Sequence, residues 1–284
     1  MTRRQTGALQ SRLSAGAFVV TAEVTPPLSA SPEALLARAA PLKDRVEAVN
    51  VTDAAGARTA MSSFAAAAIL AREGIEPVLQ VTCRDRNRIA LAGDLIGAAA
   101  QGVRNILVLH GDDPAAGDQP EAKPVYDLDS RAVIRMIRQM RDAGTLPSGR
   151  AIERPPRLFI GATDIPLDPP PDWRPEGLIA KAEAGADFVQ TQFCFDLDVA
   201  RRYMARLAEV GLPERLSFLI GVGPVASPRS ARWMNENLFG VSVPESVIAR
   251  LDRAEDPAAE GRRLCIELIQ GLREVPGVAG AHVM

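Results

Sequence analysis

The sequence is poor in the residues from which metal and disulfide sites are built. Its 284 residues include three cysteines, Cys83, Cys194 and Cys265, and two histidines, His110 and His282. The cysteines stand far apart without metal or redox spacing, which points to a reduced, cytoplasmic protein. Two histidines exclude a His-rich metal centre. No apolar run approaches the ~18 residues that a membrane span needs. The opening Met1-Thr-Arg-Arg-Gln-Thr-Gly7 lacks the apolar core of a signal peptide. There is no basic run, and a net charge of -2 argues against nucleic acid as the main partner. No Gly-x-Gly-x-x-Gly follows the first apolar strand, which counts against a dinucleotide-binding doubly wound sheet.

What is present is 47% hydrophobic sequence, cut into short segments. A short helix is predicted at about 5–16, stopping at Gly16. Phe18-Val-Val-Thr-Ala-Glu23-Val-Thr-Pro-Pro27 then reads as a buried strand that ends at two prolines, neither of which can donate a ladder hydrogen bond. Six further strands are predicted at 48–53, 77–83, 105–111, 157–162, 188–193 and 217–222, with an eighth at 278–283. Helical segments separate them, the last a long region over 245–274 broken near Asp256-Pro257. A polar loop over 112–129 is long enough to be functional or disordered. Eight strands alternating with helices, without hairpin signals, predict parallel strands and crossover helices. The count favours an α/β fold of the (β/α)8 TIM barrel type, one domain over 1–284. The chain ends on strand eight, so either an eighth helix lies outside the sequence or the N-terminal helix packs in its place.

In such barrels chemistry sits at the C-terminal strand ends. Those ends carry Glu23, Thr52-Asp53, Gln80 with Thr82, His110-Gly111-Asp112, Thr163-Asp164 and Gln190-Thr-Gln192. Glu23 is an acid late in an apolar strand, costly unless paired or used. Gln190 and Gln192 share one strand face. They either bond to neighbouring strands or offer their amides to a flat heterocycle. Gly111 would let a ligand approach the backbone closely. His110 is either a neutral histidine of the barrel's top layer or a catalytic base. Cys83 and Cys194 read as small strand residues, because nothing nearby would lower their thiol pKa. The charged run Cys83-Arg84-Asp-Arg86-Asn87 either binds phosphate or caps a helix, and the cap is the preferred reading.

With these residues in place, the chain resembles the methylenetetrahydrofolate reductase family, flavin-dependent barrels, from about Phe18 to the final strand. The motifs are Ala22-Glu23-Val-Thr-Pro-Pro27, Val49-Asn-Val-Thr52, Thr82-Cys83, Leu109-His-Gly-Asp112, Lys181-Ala-Glu-Ala-Gly185-Ala-Asp187 and Gln190-Thr-Gln192-Phe-Cys-Phe-Asp196. The resemblance implies that Glu23 is the general acid and that Asp112 stabilises developing positive charge. It implies that Gln192, with Gln190 beside it, binds the folate. FAD would be held by Thr52, Gln80, His110, Gly111, Ala162 and Lys181, the lysine meeting phosphate, with NADH or NADPH as the reductant. Glu23 would protonate one nitrogen of the bridged folate from an apolar site that favours the neutral carboxylic acid.

Several positions depart from the family's pattern. His110 stands for an arginine and Gln80 for a histidine, while Thr163-Asp164-Ile165 replaces Tyr-Pro-Glu. Arg174, Gly177 and Ala180 stand at polar flavin contacts, and Pro228 at an aromatic. The folate side is better kept than the flavin side. The resemblance therefore implies reduction of 5,10-methylenetetrahydrofolate to 5-methyltetrahydrofolate through a bound flavin. Two alternatives stand beside it: direct hydride transfer without flavin, or a non-redox folate carrier serving a methyltransferase. A homo-oligomer or a partner subunit fits any of the three.

Overall fold

Short runs of Val, Ile and Leu, each followed by a turn and a helix, bury one strand face inward and the other against the helices. In the computed structural model, which describes residues 7–284, eight parallel strands close into a barrel in chain order. They are β1 (Val19–Val24), β2 (Ala48–Val51), β3 (Pro77–Thr82), β4 (Asn105–Leu109), β5 (Phe159–Asp164), β6 (Phe188–Phe193), β7 (Ser217–Val222) and β8 (Val278–Val283). The crossovers hold α2 (Pro32–Ala39), α3 (Ser63–Arg72), α4 (Arg88–Ala100), α5 (Ser130–Asp142), α6 (Glu176–Ala184) and α7 (Leu197–Ala208). The last crossover carries three helices, α8 (Pro228–Asn237), α9 (Glu245–Arg253) and α10 (Pro257–Leu272). The predicted (β/α)8 barrel is the observed fold. Among the described residues, no helix is long and apolar enough to cross a membrane.

The N-terminal helix, α1 (Ala8–Ser14), plugs the barrel from below. Leu9 and Leu13 pack with Val19, Ala48, Val78, Leu107 and Leu219 at the lower strand ends. Phe159 and Phe188 stack above this plug at 4.9 Å between ring centroids. Gly161 leaves room for the second ring, since a Cβ there would lie 2.4 Å from Cζ of Phe188. The lower barrel is thus filled mainly by apolar side chains, with Asn105 a buried exception bonded to Glu76, and most polar residues collect in its upper half.

The predicted helix at 5–16 is shorter in the structure. It begins at Ala8, with Glu76 accepting the backbone N–H groups of Ala8 and Leu9, and its predicted residues 5 and 6 lie outside the described residues. Gly16, at φ +69°, does provide the stop. Strand β5 is displaced two residues toward the top, because Thr163 and Asp164 stay in register with Gln190 and Thr191 of β6. Strand β2 stops at Val51, which frees Asp53 to turn toward Thr82. The break before Asp256-Pro257 is real, with Asp256 capping α10.

Candidate active site

A cavity of ≈ 460 Å³ opens at the C-terminal ends of the strands. Every site residue predicted from the sequence lines it except Ala162, whose side chain packs in the layer between barrel and helices. Glu23 is the central acid. On β1, Val19, Thr21 and Glu23 share the inner face, while Val24 packs outward against the helical layer. Oε2 of Glu23 accepts a hydrogen bond from Nε2 of Gln80 at 3.0 Å, and Nε2 of His282 lies 3.9 Å from the same oxygen. The apolar setting expected for this carboxyl is therefore a polar one: β3 brings an amide to it and the neighbouring β8 an imidazole. Gln80, expected at the flavin, is committed through its N–H to the acid.

Beneath Glu23 lies a buried polar layer that spans the barrel. Gln190 on β6 exchanges hydrogen bonds with Asn50 on the opposite wall, 2.6 Å to its Oε1 and 3.1 Å from its Nε2. Its Nε2 also donates to Oγ1 of Thr21 at 2.9 Å, and Thr21 Oγ1 lies 2.9 Å from Nδ1 of His282. Gln190 thus forms the floor, with both ends of its amide satisfied inside the protein. Gln192 stands higher on the same strand, past a register shift in the β6–β7 pairing, and is half-buried. Its Oε1 accepts the backbone N–H of Phe193 at 3.0 Å, which leaves its NH2 group at the cavity.

The rim is built by the segment after β4. His110 is exposed and stacks on Tyr126, 4.6 Å between centroids and 10° between planes, so it does not belong to a buried top layer. Gly111 has φ +98°, and a Cβ there would come within 2.9 Å of Cβ of Arg84. The close neighbour that requires glycine here is the arginine stem. Asp112 is exposed, and its Oδ2 accepts the backbone N–H of Gly56 at 2.7 Å. The 112–129 loop is anchored, with Asp118 accepting from Thr59 and Asp127 paired to Arg88. In the charged run after β3, Asn87 caps α4, the preferred reading. Arg84 donates to the carbonyls of Asp112 and Ala54, and Arg86 pairs with Asp53.

On the far wall, Nζ of Lys181 donates to the carbonyl of Thr163 at 2.5 Å. Burial pulls its ammonium below the usual lysine range, against the nearby Asp164 charge that supports it. Burial likewise pushes the Asp164 carboxyl up, although the Tyr203 hydroxyl donates to it at 2.5 Å. Two buried atoms among the described residues lack partners, and one is Oγ1 of Thr52 at the cavity. The thiols fit the sequence reading: burial pushes Cys83 to about 12 and Cys194 to about 11, far from reactive values.

Sequence reasoning missed His282, Asn50 and Thr21. Strand alternation places all three on inward faces, but only the closed barrel brings them to Gln190. Tyr203, the partner of Asp164, also carries no signal in the sequence that links it to that carboxyl.

A model of the family described as methylenetetrahydrofolate reductase matches residues 8–284. The chain is 27% identical over 230 residues to a probable methylenetetrahydrofolate reductase (NADPH) of Caenorhabditis elegans, covering 78% of this chain and 32% of that protein. It is 25% identical over 202 residues to the 5,10-methylenetetrahydrofolate reductase of Salmonella typhimurium, covering 68% and 58%. The chain therefore spans only 32% to 58% of these relatives' lengths. Among solved structures, a protein from Clostridium thermocellum that binds two copies of 5-methyl-5,6,7,8-tetrahydrofolic acid superposes with a TM-score of 0.64. That match covers 97% of this chain and 91% of the other at 14% identity, a likeness of fold.

Proposed function

The chain belongs to the methylenetetrahydrofolate reductase family, and from that premise we propose that it reduces 5,10-methylenetetrahydrofolate to 5-methyltetrahydrofolate with NAD(P)H. The observation that carries this reading is Glu23, an inward acid at the mouth of a polar cavity. Binding alone needs no proton donor there. The substrate holds its one-carbon unit between two ring nitrogens. Proton transfer from Glu23 to one of them opens the ring to an iminium ion, and the exocyclic carbon then accepts a hydride. One proton and one hydride are consumed, and the methyl product results. The NH2 group of Gln192 would bind an acceptor on the pterin edge. The Asp112 carboxylate would offset the positive charge of the iminium.

The cavity residues fit a flavin. The unpartnered Thr52 hydroxyl would find an acceptor on its ring edge. Lys181 has donated one N–H to Thr163, and an ammonium group has two more for a phosphate. When bound, FAD would supply the hydride after reduction by the nicotinamide. Three free, buried cysteines support a reducing, cytoplasmic setting.

The deciding experiment is anaerobic turnover with NADH and with NADPH on protein whose flavin content has been assayed. Turnover proportional to flavin occupancy is expected. Turnover without flavin would replace this reading with direct hydride transfer. Folate binding without turnover would point to the carrier, or to a partner subunit.

A further inference from the structure

His282 has no role in the reading above, yet it is 2% exposed and sits between the polar floor and Glu23. Its place is set by the ladder, where Thr21 of β1 is its direct partner on β8. The hydrogen bonds around it determine which ring nitrogen carries the proton. The Gln190 amide has two N–H bonds and directs one to Asn50 Oδ1 and the other to Thr21 Oγ1. The Thr21 hydroxyl, having accepted there, keeps a single proton to donate. Its neighbour is Nδ1 of His282 at 2.9 Å. Nδ1 is then an acceptor, and the neutral ring carries its proton on Nε2, the nitrogen 3.9 Å from Glu23.

We propose that His282 is a positioning residue, held as the Nε2–H tautomer by Thr21, Gln190 and Asn50 so that its N–H bond is directed at Oε2 of Glu23. That oxygen already accepts from Gln80. With donors from β3 and β8 directed at Oε2, the transferable proton of the carboxylic acid resides on Oε1, the oxygen left for the folate. A separation of 3.9 Å exceeds a hydrogen bond, and such contacts close when substrate packs above them. The assignment of Oε1 rests on the proposed role of Glu23 as the acid. The tautomer does not.

The test uses the rarity of histidine. Nitrogen-15 histidine labelling of the full chain gives two imidazoles, and the His110→Gln variant assigns them. The expected spectrum of His282 near neutral pH has an unprotonated Nδ1 and a protonated Nε2, with Glu23→Gln moving mainly Nε2. A protonated Nδ1, or a ring exchanging between tautomers, overturns the proposal whether or not the protein turns over folate. Kinetics add a second arm. His282→Gln reaches Glu23 with an N–H and should stay within about threefold of wild-type kcat. His282→Asn keeps a polar atom at the Nδ1 position without that reach. It should lose roughly tenfold to a hundredfold in kcat at constant KM, the scale of a misplaced catalytic group. Equal losses in both variants, or a change in KM alone, overturn the positioning role. Wild-type protein that never reduces folate would instead count against the proposed reaction, with the spectrum still deciding the tautomer.

Discussion

Gln80 on β3 donates its side-chain amide to Oε2 of Glu23 on β1 at 3.0 Å, reaching past the intervening strand β2. The carboxyl group is therefore held by a residue the family resemblance assigns to the flavin. Glu23→Gln keeps an oxygen acceptor for Gln80 and removes the transferable proton. Folate reduction should fall by about 10²–10⁴-fold, the usual contribution of a general acid. Folate binding and the thermal midpoint should stay close to wild type, as read by equilibrium titration and calorimetry. Reduction at the wild-type rate would remove Glu23 from the chemistry.

Asp112 separates charge from loop geometry. Its Oδ2 accepts from Gly56 N–H, and asparagine preserves an acceptor at that place. Asp112→Asn should thus keep the rim intact while deleting one exposed charge. Exposed charges act with up to about 1 kcal/mol, so kcat should fall by about fivefold. Screening shrinks such an effect in high salt. Steady-state rates at low and high ionic strength check both features, and equal kcat at low salt would exclude an electrostatic role.

Much of the barrel was legible because period and punctuation agree locally. The β6, β7 and β8 runs match their predicted spans, each bounded by glycine, proline or a cap. Glu23 stood out because an acid in an apolar strand demands a reason. Gln190 shows where local reading stops. Strand alternation put it on the same face as Gln192, but its partners Asn50 and Thr21 come from the opposite wall and are unrelated in spacing. His282 was counted only against a metal site, since nothing in its own segment points to Glu23. Gly111 was read for a ligand's approach, whereas the nearest atom is the stem of Arg84.

Gly161 tests the packing beneath the site. A methyl group there would meet the Phe188 ring at 2.4 Å, in a layer closed below by Leu9 and Leu13. Gly161→Ala should destabilise by about 1–3 kcal/mol, the usual cost of overpacking. Phe188→Leu alone should also destabilise, by leaving space. Together the two changes should cost less than their sum, as measured by denaturant unfolding in a double-mutant cycle. Strict additivity would mean that the ring moves away freely.

Asp53 carries the pH prediction. Burial alone would raise its carboxyl, but Arg86, Thr82 and Ser63 together hold it below the ordinary 3.8. Its Oδ2 receives Thr82 N–H at 2.9 Å and Arg86 Nη1 at 2.8 Å, so it ties the end of β2 to β3 and to the segment before α4. A carboxyl whose folded pKa is depressed adds stability above the unfolded value and loses it as pH falls through the folded one. Asp53→Asn breaks a largely buried ion pair, a change that costs on the order of 3 kcal/mol. At neutral pH the variant should therefore melt roughly 5 °C lower than wild type, because a chain of this length has a large unfolding entropy. The gap should hold down to about pH 4 and narrow below it, where the wild-type carboxylate becomes protonated and Arg86 loses its buried partner in both proteins, keeping only the more exposed Asp94. Thermal unfolding between pH 7 and pH 3 measures this directly. A gap constant over that range would mean that the Asp53 hydrogen bonds, and not its charge, brace the cavity wall.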